Sequence, residues 1–223
     1  MLLATGHTAK GSGASMVVQA GDAEDDKAGG GDITLAAGDA SKDRGGHVEI
    51  RGGINSVGPG GDIALVSGLS EGSTSGDVSL KTPAAGDSGM SGTSTIQSGA
   101  SLDGPSGAIT MGSSDATGGG GGGINVGVGA GSSGAGGAVI MAAGLSDGGD
   151  GGSLDFASGG TLTHNTGHVD VRTGAVDKHG TTSGDVALLT GTGATGSTGN
   201  LALGSGPATA GRAGFVDVRV GTG

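Results

Sequence analysis

The chain has 223 residues, of which 58 are Gly and only two are aromatic, Phe156 and Phe215, with no Trp, Tyr or Cys. So few bulky side chains exclude a thick globular core, and the missing Cys excludes a disulfide framework. The formal net charge of -11, from 10 Lys and Arg against 21 Asp and Glu, excludes the basic footprint that nucleic acid and anionic membrane surfaces require.

One unit recurs along the whole chain: Gly, any residue, apolar, any residue, apolar, any residue, small, Gly. It is clear at Gly31-Asp32-Ile33-Thr34-Leu35-Ala36-Ala37-Gly38. The leading position falls at 1, 16, 33, 48, 63, 78, 94, 109, 124, 139, 154, 169, 186, 201 and 216. Steps are fifteen residues, with 17, 16 and 17 where a link swells. A fixed internal period governs architecture and is read before any other signal.

The first unit, Met1-Leu2-Leu3-Ala4-Thr5-Gly6, is already in phase and is too short for a signal-peptide core. From there the second apolar position holds in every beat, from Leu3, Val18, Leu35, Ile50 and Leu65 through Phe156 to Leu203 and Val218. The first fails once, at Ser94. Two residues apart, both side chains share one face of an extended segment. Residues beside them, such as Thr34, Glu49, Arg51, Lys81, Thr110 and Asp170, form an outward row. The third inward position is small, as at Ala20, Ala37, Ser67, Ser98 and Ala143, and its taper predicts a corner.

Gly punctuates both ends of the segment. Phase-locked Gly predicts either a left-handed backbone angle or a close approach between stacked backbones. Links of Gly, Ser, Asp and Thr follow, with an early apolar residue such as Ile54, Leu69, Leu145 or Val176 expected to plug a core from the opposite side. Links this short would also permit an antiparallel meander. Disorder would suit the composition but not the register of the apolar residues. Identical polarity in every beat favours identical stacked units.

The resulting expectation is an all-β chain: a parallel β-solenoid of about fifteen 15-residue coils, one main strand per coil joined by Gly-rich links, with no helices. The array fills residues 1–223 as one domain, and its lack of polar end caps predicts a window of a longer chain. Two large apolar residues per coil make a thin core, so support from ions, neighbouring chains or packed faces is expected.

Motifs that carry chemistry elsewhere read here as parts of the beat. Gly68-Leu69-Ser70-Glu71-Gly72 and Gly144-Leu145-Ser146-Asp147-Gly148 match the G-x-S-x-G nucleophile elbow but lack its strand–turn–helix setting. Gly118 to Gly123 has neither the Lys-Ser/Thr nor the helix of a phosphate loop. His164 and His168 are four apart with Gly between them, which predicts exposed turn residues rather than metal ligands.

Acidic residues hold a phase of their own. Asp32, Asp62 and Asp77 stand just before the leading apolar residue, with His47 between them and Asp185 further on. Stacked at strand spacing they would repel unless a cation or a turn donor satisfied them. They are the candidate Ca²⁺ ligands, against an Asx-type turn at the segment entrance. Catalytic and cofactor-binding residues are not expected. Gly148 to Phe156 comes near a nonapeptide Ca²⁺-roll pattern, but Ser153 stands where that pattern needs Asp and the period differs.

With Gly184-Asp185-Val186-Ala187-Leu188-Leu189-Thr190-Gly191 alongside the unit at Gly31, the repeat resembles the Gly/Ser-rich "GGxVxIxxG" arrays of large surface proteins of diatoms and related algae, and of some marine phage tail fibres. The resemblance implies an extracellular or particle-surface setting, a structural role and no catalytic residues to carry over. The expected function is therefore a non-enzymatic rod, fibre shaft or matrix element. Its expected partners are other chains, through self-association or lateral packing, with no nucleic acid and no membrane span. The alternative is an ice- or surface-binding solenoid. Its flat row would read Thr34, Glu49, Ala64, Ser79, Thr95, Thr110, Asn125, Ile140, Asp155 and Asp170, with adjacent Thr only at Thr95 and Thr110.

Overall fold

The computed structural model describes residues 3–25, 28–176 and 182–221. Among them there is no helix and no β-strand, so the expected parallel β-solenoid is not formed. Among the described residues no backbone hydrogen bond joins one apolar segment to the next; those present all lie within single links. The fifteen-residue beat survives in another form. Extended segments alternate with links, and eight of the described links fold back and are closed by a hydrogen bond at their base.

The closure is a neck. In the unit Met1–Thr110, the Gly46 N–H donates to the Gly38 carbonyl at 2.9 Å, Gly61 to Gly53 at 2.9 Å and Gly76 to Gly68 at 2.9 Å. In the unit Met111–Gly223, Gly152 donates to Gly144 at 3.0 Å and Gly167 to Gly159 at 3.1 Å. Hydroxyl groups do the same work in two other beats: Thr5 Oγ1 donates to the Ala14 carbonyl at 3.3 Å, and Ser113 Oγ to the Gly122 carbonyl at 2.8 Å. The donor of each backbone neck is the leading Gly of the next beat, and the acceptor is the Gly that ends the last one.

The neck explains the residue sizes. A Cβ on Gly46 would lie 3.1 Å from the Ala37 Cβ and 3.2 Å from the Gly38 nitrogen. Ala143 stands in the same relation to Gly152, at 3.3 Å. The small third residue and the leading Gly are thus a matched pair pressed together across the neck. Of the two roles expected for phase-locked Gly, close approach is the one found, and it acts within a link rather than between stacked coils. Left-handed angles occur elsewhere, at Gly11, Gly104, Gly134 and Gly211, each closing the bend of a link.

One longer link keeps the neck. The long second link closes with Gly31 N–H on the Gly21 carbonyl at 2.9 Å, and a Cβ on Gly31 would sit 3.2 Å from that of Ala20. These values nearly match the neck at Gly46, although the link holds two more residues. Extra residues are taken up in the loop, and the next segment starts from the same geometry.

None of the described residues is buried. Along the stripe, Ile63 is 53% exposed and Leu65 75%. The link residues Ile54, Leu69 and Leu145 are almost fully exposed, so they plug no core. Total accessible surface is 22082 Å². A compact chain of 20.3 kDa would expose about 8,800 Å² and a fully unfolded one about 29,000 Å². Most of the surface that folding normally removes from water is still in contact with it. Each segment has a single narrow apolar face, and among the described residues no other segment packs closely enough to bury it.

Candidate functional site

Alternation along the extended segments sorts the side chains. Glu49 pairs with Arg51 at 3.2 Å, Asp170 with Arg172, and Asp217 with Arg219. Partners two residues apart can meet only on one side of an extended backbone, which places the outward row opposite the stripe. All six side chains are well exposed, so the pairs contribute little to stability. None of the 10 Lys and Arg or 21 Asp and Glu occupies any of the three same-face positions in any beat. The stripe is apolar or small throughout, and every charge lies on the outward row or in a link.

The two apparent nucleophile elbows have a different task. Ser70 Oγ accepts the backbone N–H of Ser73 at 3.0 Å, and Ser146 Oγ accepts that of Gly149 at 3.0 Å. Asn55 Oδ1 accepts the N–H groups of Val57 and Gly58, at 2.9 and 2.8 Å. Thr161 Oγ1 accepts those of Thr163 and His164, at 3.4 and 3.3 Å. All four residues stand just before the bend of their link and cap it, as Asx and Ser/Thr turns do. His164 lies in such a bend, with Nδ1 2.8 Å from Thr163 Oγ1. This hydroxyl–imidazole contact is solvent-exposed and has no carboxylate to orient the ring, unlike a catalytic arrangement.

Asp32, Asp62 and Asp77 follow the neck glycines Gly31, Gly61 and Gly76. Their carboxylates are exposed and take neither a hydrogen bond nor an ion pair. The turn-capping role expected of them is carried by Asn55, Ser70, Ser146 and Thr161. Among the described residues, no three of His, Cys, Asp and Glu come together as a metal site would require, and no pocket is present. Gly118 and Gly119 form part of a link bend, and Gly122 closes that link through Ser113.

A protein Ca²⁺ site supplies six to eight oxygens, and among the described residues no three acidic side chains converge to begin one. At matched ionic strength, replacing 1 mM EDTA by about 1 mM Ca²⁺ is expected to leave amide protection and oligomeric mass unchanged. Saturable calorimetric binding that disappears in Asp62→Asn would return a metal role to this row.

No helix among the described residues is long and apolar enough to cross a membrane. No protein family, no curated protein and no solved structure matches the chain.

Proposed function

We propose that this chain is a structural, non-enzymatic element of an extracellular or particle-surface fibre or matrix, and that its working surface is the apolar stripe. The observation that carries this reading is the segregation of charge. A face kept free of Asp, Glu, Lys and Arg in all fifteen beats, yet open to solvent wherever it is described, is suited to being covered by other chains. The serines of the two G-x-S-x-G segments act as turn caps, which supports a structural role for the links as well. The resemblance to Gly/Ser-rich surface arrays supports the location.

The ice-binding alternative needs a planar, uncharged row. The outward row instead carries the exposed Glu49–Arg51 and Asp170–Arg172 pairs, and no hydrogen bonds hold the segments of Thr95 and Thr110 together.

Negative-stain electron microscopy of the concentrated chain, alone and with extract from its native source, tests the structural reading. Filaments or ordered lateral assemblies in either sample are expected. Dispersed single chains in both would overturn it.

A further inference from the structure

We infer that the occupant of the apolar stripe is a second copy of this chain, laid against the first beat upon beat. This inference rests on the structural reading above and names the partner of that surface.

Three observations lead to it. The first is area. The stripe runs through fifteen beats, and its large side chains stay about half or more exposed, from 48% at Met16 to 95% at Val220. A standard stable interface takes about 800 Å² from each partner, so a small protein seated at one point would leave most beats uncovered. The cover must continue along many beats.

The second is spacing. Whatever covers the stripe must present apolar groups at the same interval, including the steps of 17, 16 and 17 residues. A copy meets that requirement by construction. One neck assists, because the longer link between Gly21 and Gly31 closes with nearly the same geometry as the shorter one between Gly38 and Gly46. Segments of two copies can therefore stay aligned while links of different length project away from the contact.

The third is the state of the backbone. Among the described residues the extended segments make no backbone hydrogen bonds with one another, so their N–H and C=O groups between the necks remain available to a neighbour. Burying the stripe without pairing those groups would leave unsatisfied polar atoms, which native proteins avoid. A neighbour that is itself an extended segment can satisfy them along its length, as an added strand does at a sheet edge. The charged outward rows and the links would then face solvent on both copies.

The test compares stripe and link leucines, which are both exposed in the single chain. One variant combines Leu35→Asp, Leu65→Asp and Leu188→Asp in the stripe. The other combines Leu69→Asp, Leu102→Asp and Leu145→Asp in the links, giving the same charge change. Mass is read by light scattering after size exclusion, with all three proteins at one concentration and ionic strength. The wild-type chain and the link variant are expected at a multiple of 20.3 kDa. The stripe variant is expected at 20.3 kDa, with association weakened at least 100-fold.

A wild-type chain that stays at 20.3 kDa at every concentration overturns the inference, and so does a link variant that dissociates as fully as the stripe variant. If such a chain still enters assemblies when native extract is added, the structural reading stands and only the identity of the partner falls.

Discussion

Raising the ionic strength from 0.01 M to 0.15 M is expected to strengthen association of the purified chain at least tenfold. Each copy carries a formal charge of -11, and none of it lies on the stripe. Bringing two copies together therefore sets like charge against like charge across the links and outward rows, without adding an attractive ion pair at the contact. The screening length shrinks from about 30 Å to about 8 Å over this range, which removes most of the repulsion between links. A tenfold change is about 1.4 kcal/mol, a modest demand for a charge of this size. Sedimentation velocity at several salt concentrations measures it. Association that weakens as salt rises would mean that ion pairs, not the apolar stripe, form the contact.

The neck makes the second strong prediction. A methyl group at Gly52 would overlap the Gly61 carbonyl oxygen, whereas one at Gly38 would meet nothing within 4 Å. Gly52→Ala should open the link between Gly53 and Gly61 and free the Gly61 amide. The lost bond is worth about 1 kcal/mol net, so the open form should gain about fivefold in population. Gly38→Ala should leave its neck with Gly46 closed. Amide exchange and chemical shifts of Gly46, Gly61 and Gly76 in the two variants decide the matter. An undisturbed Gly61 amide in Gly52→Ala, or an equal disturbance of Gly46 in Gly38→Ala, would contradict the assigned geometry.

Much of the local pattern was legible in the sequence, and the pairing was not. The face shared by Ile33 and Leu35, the opposite face at Glu49 and Arg51, and the Gly at both ends follow from a two-residue alternation and a fixed phase. A period shows what repeats but not what each repeat touches. Stacked coils of one chain and aligned segments of several chains make the same demand on Ile63 and Leu65. The small residue at Ala37 was read as a corner because its partner, Gly46, lies nine residues on, across a link whose closure leaves no apolar mark.

The chemistry of the links was legible in kind and misplaced in position. Turn capping was expected at Asp32, Asp62 and Asp77, where the segments begin, and it occurs at Asn55, Ser70, Ser146 and Thr161. The signal was available: Asn55 and Ser70 are fifteen residues apart, as are Ser146 and Thr161. A hydroxyl or amide group at the bend meets the same need for an acceptor as a carboxylate at the entrance.

Among the described residues this chain has no core of its own, and in the proposed assembly it becomes ordered through the stripe when other copies cover it. Amide hydrogen exchange across a dilution series measures this directly, with mass recorded on the same samples. Where the mass is 20.3 kDa, the amides of segments 33–37, 63–67 and 186–190 are expected to exchange at nearly unprotected rates. In the associated state they should slow by at least about 100-fold, equivalent to about 2.8 kcal/mol. Protection of that size in the dilute single chain would contradict the account, because it would mean that one copy buries and pairs these segments alone.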